Sequence, residues 1–144
     1  MTKEERQLLL KDLCARLSYG VIVNVPIIDG SENKKLVSII NEDDGIPCVS
    51  VYSYEVRNSN GKLVSYEKST YLLCDIKPYL RPMSSMTDEE KTLMTTICLS
   101  NAFGNVEGAV SELSDFYNSR YFDYRGLIPM GLALEAPDDM YKTK

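Results

Sequence analysis

The chain has 144 residues, close to the commonest size of a single domain and long enough to bury about 68–70% of its unfolded surface without a disulfide or structural metal. Its 16 Lys and Arg against 21 Asp and Glu give a net charge of −5, which disfavours nucleic acid and anionic membranes as partners. The absence of histidine excludes a Ser-His-Asp triad, a Cys-His dyad and any His-based zinc site within one chain.

Thr2 followed by Glu5 predicts a capping box, and Leu9, Leu10, Leu13, Cys14 and Leu17 follow at helical spacing. This first helix should end near Tyr19, with Gly20 closing it in the left-handed region. From Val21 the period changes to two through Val23, Val25 and Ile27, a strand placed near a sheet edge by Pro26. A turn at 29–33, a second strand at 36–40, the acidic turn Glu42-Asp43-Asp44 and a third strand from Cys48 to Arg57 come next. Asn60-Gly61 predicts a type I′ hairpin turn into a fourth strand at 63–67. Tyr71 to Ile76 is apolar enough for a buried fifth strand.

Pro78 and Pro82 bracket a loop, after which Thr87 and Glu90 form a second capping box. The helix it opens carries Leu93, Met94, Ile97 and Cys98 on one side and runs to about Ser100. Across a short link at Phe103-Gly104, Asn105 caps a third helix with Val106, Ala109, Val110, Leu113 and Tyr117 on one face. The two helices should form a hairpin. Residues 131–135 read as a short strand or extended segment, followed by a frayed terminus. The expected fold is a single α+β domain over residues 1–144. It has an antiparallel sheet of about five strands, in hairpins, packed with the N-terminal helix and the C-terminal helical hairpin.

Cys14, Cys48, Cys74 and Cys98 each sit in apolar stretches and match no zinc spacing, so they are read as small buried hydrophobes. The acidic turn fails the EF-hand pattern, because aligning Gly45 with the required glycine puts Ile40 at the first ligand position. No phosphate loop, nucleotide fingerprint or nucleophile elbow occurs, and neither a metal nor a cofactor is expected. The polar N-terminus and the lack of a run of about 20 apolar residues predict a cytoplasmic protein without a membrane span.

Two clusters carry chemistry. Arg120, Tyr121, Asp123, Tyr124 and Arg125 combine two guanidinium forks, two stacking phenols and a carboxylate at a helix exit, a set suited to an anionic or nucleotide-like ligand. The stronger reading of the same residues is structural, because the macrodipole favours basic side chains at a helix C-terminus and an Asp beside Arg most often forms a plain ion pair. Lys77, Tyr79 and Arg81 could extend that site, or serve only as a solvated rigid connector. Tyr52, Tyr54 and Tyr66 could share one sheet face, as a binding surface or as cross-strand packing.

Three stretches are similar to a known group: residues 8–17 with Tyr19-Gly20-Val21, residues 75–87 (Asp75-Ile76-Lys77-Pro78-Tyr79-Leu80-Arg81-Pro82 through Thr87), and Phe122-Asp123-Tyr124-Arg125-Gly126-Leu127-Ile128 with residues 132–137. They resemble short uncharacterised proteins encoded by gut Bacteroides, their phages and mobile elements. The resemblance implies a cytoplasmic accessory protein and carries no reaction with it. Where that group often has histidine before Phe-Asp-Tyr-Arg, this chain has Arg120-Tyr121.

The expectation is therefore a non-enzymatic binding or interaction protein of phage or mobile-element type, acting on a partner or a small anionic ligand. A homo-oligomer fits the same pattern. The alternatives are a histidine-independent enzyme on a phosphate-containing substrate, with Asp123 as base and Arg81 and Arg125 steadying charge, and a virion or scaffold component.

Overall fold

The computed structural model describes residues 1–41, 45, 47–101 and 106–142, with the side chains of 41, 53–55, 101 and 106–109 left aside. The acidic turn Glu42-Asp43-Asp44, the Phe103-Gly104 link, the Asn105 cap and the side chains of Tyr54, Val106 and Ala109 lie outside the described residues. The fold is α+β, and the chain divides into two compact units, Met1–Tyr79 and Leu80–Lys144.

The first unit begins with α1 (Lys3–Arg16). Its capping box forms as the sequence predicts: Thr2 Oγ1 accepts from the Glu5 amide at 3.1 Å, and the Thr2 amide donates to Glu5 Oε2 at 2.7 Å. A 3-10 turn, Leu17–Tyr19, continues the helix until Gly20 closes it at φ 73°. The buried face consists of Leu9, Asp12, Leu13 and Arg16, so two charged residues take places the spacing assigned to Leu10, Cys14 and Leu17. They form a forked ion pair, Arg16 Nε to Asp12 Oδ2 at 2.8 Å and Arg16 Nη2 to Asp12 Oδ1 at 3.0 Å, with both side chains fully buried.

Five antiparallel strands follow: β1 (Ile22–Ile27), β2 (Gly30–Asn41), β3 (Pro47–Arg57), β4 (Leu63–Leu72) and β5 (Lys77–Leu80). Their order across the sheet is β4-β3-β2-β1-β5. Val21, Val23, Val25, Leu36, Val49 and Val51 are buried. Several expectations are corrected. β1 lies between β2 and β5 rather than at an edge; within β1 only Val23 and Asn24 pair with β5, so Pro26 sits beyond the stretch where a second ladder would need its missing N–H. The turn before β2 shrinks to Ile28-Asp29, with Ile27 directly opposite Gly30.

Tyr71 and Leu72 belong to β4, opposite Val49 and Cys48, because the long β3–β4 hairpin captures them. Leu73–Asp75 then makes a 3-10 turn, and the Pro-bracketed residues Lys77, Pro78 and Tyr79 are strand rather than loop. The hairpin turn also differs. Only Gly61 has positive φ there, at 77°, and the Asn58 side chain accepts from the amides of Asn60 and Lys62, both at 3.0 Å. That side-chain anchor widens the two-residue turn into a loop over 58–62.

The second unit holds α2 (Asp88–Asn101), α3 (Val106–Ser119) and the short β6 (Leu134–Glu135). The described residues thus form six strands rather than about five, and only α1 shares a unit with β1–β4. The helices α2 and α3 contact each other, around a core of Met86, Phe116 and Phe122 bordered by Met94, Ile97 and Tyr117. Leu93 and Val110, expected on buried faces, are 40% and 63% exposed. Thr92, Thr95 and Thr96 of α2 turn their hydroxyls back onto carbonyls four residues earlier. Of the cysteines only Cys48 is buried, while Cys14, Cys74 and Cys98 are exposed and all four are free thiols. Cys14 and Cys74 stand next to the buried Leu13 and Leu73 but point away from them, and Cys98 lies on an exposed stretch of α2 beside Leu99, itself 62% exposed. Among the described residues, no helix is long and apolar enough to cross a membrane.

Candidate ligand-binding site

The second unit builds a polar cluster from the N-terminus of α2 and the chain leaving α3. Thr87 and Glu90 form the predicted capping box: the Glu90 amide donates to Thr87 Oγ1 and the Thr87 amide donates to Glu90 Oε1, each at 3.2 Å. The same carboxylate receives the Arg81 fork, Nη2 to Oε1 at 2.8 Å and Nη1 to Oε2 at 3.0 Å. Arg81 Nη2 also donates to the Ser85 carbonyl at 3.2 Å, and Arg120 Nε stands 3.8 Å from Glu90 Oε2. Both guanidiniums lie over aromatic rings, Arg81 at 4.3 Å from the centroid of Phe122 and Arg120 at 4.6 Å from that of Phe116. Stacking on a ring holds the planar cation in place while its edge stays available for hydrogen bonds.

Burial by itself would raise the Glu90 pKa. The hydrogen bond and charge of Arg81, with the amide and hydroxyl of Thr87, outweigh it and hold the carboxyl below its ordinary value. A group that binds its proton less tightly when folded stabilises the fold above the unfolded pKa, here 4.5, and loses that contribution as pH falls through the lower folded value. Acidification below pH 4.5 should therefore lower the melting temperature more steeply in the wild type than in Glu90→Gln. Parallel pH–melting curves for the two proteins would contradict this.

The backbone fixes Arg81 from both sides. Its amide donates to the Tyr121 carbonyl at 2.7 Å, and its carbonyl accepts from the Asp123 amide at 2.8 Å, making a parallel bridge between Arg81 and Phe122. Tyr121 has φ 62°, a left-handed conformation uncommon for an aromatic residue. Its ring stacks on Tyr141 at 3.7 Å and 12°, and burial raises its phenol pKa.

Beside this cluster is a cavity of about 380 Å³, walled by Arg81, Ser85, Thr87, Glu90, Glu135, Asp138, Tyr141 and Lys142 together with Pro82, Ala136 and Pro137. Of the eight residues expected to bind a ligand, Arg81 alone lines it. Arg120 meets Arg81 across Glu90, and Tyr121 approaches through its stack with Tyr141. Asp123 turns away to organise its own loop, accepting from the amides of Leu127 at 2.7 Å and Ile128 at 2.8 Å. Tyr124 stacks on Tyr117 at 4.9 Å, and Arg125 lies over Tyr124 at 4.4 Å. Lys77 and Tyr79 belong to the first unit, where Lys77 is exposed on β5 and the Tyr79 hydroxyl accepts from Asn24 Nδ2 at 3.4 Å.

The sequence reading did not single out Glu90, Glu135, Asp138, Tyr141 or Lys142 as site residues. Glu90 is legible from the sequence only as a cap, Glu135 only as the end of a short extended segment, and Asp138, Tyr141 and Lys142 fall in the stretch expected to fray. In the first unit, Tyr52 and Tyr66 meet edge to face at 5.1 Å with Tyr66 half exposed, so part of the tyrosine face exists as cross-strand packing. Among the described residues, no three His, Cys, Asp or Glu side chains converge as a metal site would require. No family model, curated protein or solved structure matches the chain.

Proposed function

We propose that the chain is a cytoplasmic, non-enzymatic binding protein of the kind carried by phages and mobile elements. We place its site in the cavity beside Arg81, where a small anion or an acidic group of a partner is seated. The cavity itself carries this reading: at about 380 Å³ it falls within the roughly 300–1,000 Å³ of small-ligand sites, and an ordered guanidinium lies in its wall. A guanidinium has five N–H donors, and the bonds to Glu90 and Ser85 use only some of them. Lys142 brings a second cation, while Glu135 and Asp138 in the same wall favour a singly charged group over a polyphosphate.

Binding is preferred to turnover because a general base works best with a pKa near the working pH. Glu90 is held below the ordinary carboxylate value, and both oxygens of Asp123 are engaged by backbone amides. The test is an NMR titration with acetate and with inorganic phosphate. Acetate should shift the amides of Ser85, Thr87 and Tyr141 more than phosphate does. Lys142→Ala should weaken that binding about tenfold, equivalent to ~1.4 kcal/mol. No shift with either anion would overturn the ligand class, and turnover of a metabolite abolished by Glu90→Gln would overturn the non-enzymatic reading.

A further inference from the structure

Strand β4 is the outer strand of the first unit's sheet, and among the described residues no strand pairs along its far side. Long edge strands without proline invite pairing with another strand. Its ladder with β3 pairs Val56 with Ser65 and then Arg57 with Leu63, so Val64 is bulged out and regular alternation runs over 65–72. Along that stretch Tyr66, Lys68, Thr70 and Leu72 share one face, and all four are exposed. Tyr66 and Leu72, at 50% and 42% exposure, make this an apolar face at the edge of a sheet.

We propose that β4 pairs antiparallel with β4 of a second copy of this chain, in a register centred on Ser69. A twofold axis joining two edge strands into one continuous sheet stands perpendicular to that sheet and returns each face to itself. Residues facing each other across it must therefore be both even or both odd in number. Within 65–72 two such registers pair the most residues. One is centred on Lys68 and sets that ammonium against its own symmetry mate, an arrangement that destabilises a sheet. A centre at Glu67 does the same with carboxylates.

The centre at Ser69 avoids both. It pairs 66–72 of each chain, setting Tyr66 opposite Leu72 of the second copy and Leu72 opposite its Tyr66. Lys68 then faces Thr70, Glu67 faces Tyr71, and the Val64 bulge falls outside the paired stretch. A second copy is thus an occupant whose side chains this strand already complements.

Sedimentation velocity across a concentration series should show a reversible dimer. Leu72→Lys and Tyr66→Lys should each abolish it; Leu72→Lys should leave the melting temperature of the monomer in place, and Tyr66→Lys should lower it only by the lost edge-to-face contact with Tyr52. The register has its own readout. Directly opposed residues in an antiparallel pair have Cα atoms about 4.5–5.5 Å apart, within disulfide reach, whereas diagonal neighbours stand about 7–8 Å apart, beyond it. Ser69→Cys should therefore oxidise to a covalent dimer bridged at position 69, as peptide mapping would show, and Lys68→Cys should not bridge at 68. A monomer at every concentration overturns the proposal, as does a dimer indifferent to both lysine substitutions or one bridged at 68. Protection of the β4 amides from exchange only when a foreign extended peptide is added would assign the edge to another chain and overturn it too.

Discussion

Leu13→Asp should leave no cooperatively folded protein. Leu13 is fully buried on α1, so the substitution forfeits about 1.5–3 kcal/mol of apolar burial. It then places a carboxylate where the nearest cation on the same face, Arg16, is already forked onto Asp12. An unpaired buried charge costs several kcal/mol more, and the sum consumes most of the ~5–15 kcal/mol that holds a domain of this size. Far-UV circular dichroism through a thermal ramp gives the answer. Leu13→Met, which preserves volume, serves as the control and should cost less than about 1.5 kcal/mol. A sharp melt for Leu13→Asp near the wild-type temperature would show that α1 does not anchor the fold.

Arg16→Ala is the second large loss expected, about 3–5 kcal/mol, because it removes the cation forked onto the buried Asp12 carboxylate. Asp12→Ala should cost a similar amount by removing the carboxylate onto which the buried guanidinium is forked. The informative comparison is Asp12→Leu combined with Arg16→Met. Replacing both members of a buried pair by apolar side chains of similar size is often close to neutral, so the double variant should be more stable in urea than either single one. Singles as stable as the wild type would mean that water reaches the pair. A double variant worse than the sum of the singles would mean that the pair specifies the seating of α1.

What could be read from the sequence follows the distance over which each feature is decided. Thr2 with Glu5 and Thr87 with Glu90 satisfy each other within one helical turn, and both capping boxes form. Gly20 ends its helix for a reason local to the backbone. The errors arise where a distant partner decides. Asp12 and Arg16 have the spacing of an ordinary exposed ion pair, and only the packing of α1 buries them. Tyr71 to Ile76 looks like one apolar strand until β3 claims Tyr71 and Leu72 and the chain turns at Leu73.

The candidate site follows the same logic. Arg120 to Arg125 form a contiguous cluster in sequence, yet the structure sends Asp123 to two amides and Arg125 to a tyrosine ring. Arg81 reaches the cavity because the bend at 82–87 brings it onto Glu90. No composition or periodicity announces a contact made by folding the chain back over nine residues.

The bridge that holds Arg81 beside Phe122 acts as a clasp at the base of the intervening segment. Glu90 lies in the first turn of α2, and at 1.5 Å per residue Asn101 stands about 16 Å further along the helix axis. The later turns of α2 thus lie well away from the carboxylate and its two cations. Substitutions in those turns should therefore leave the ion pairs of the site in place.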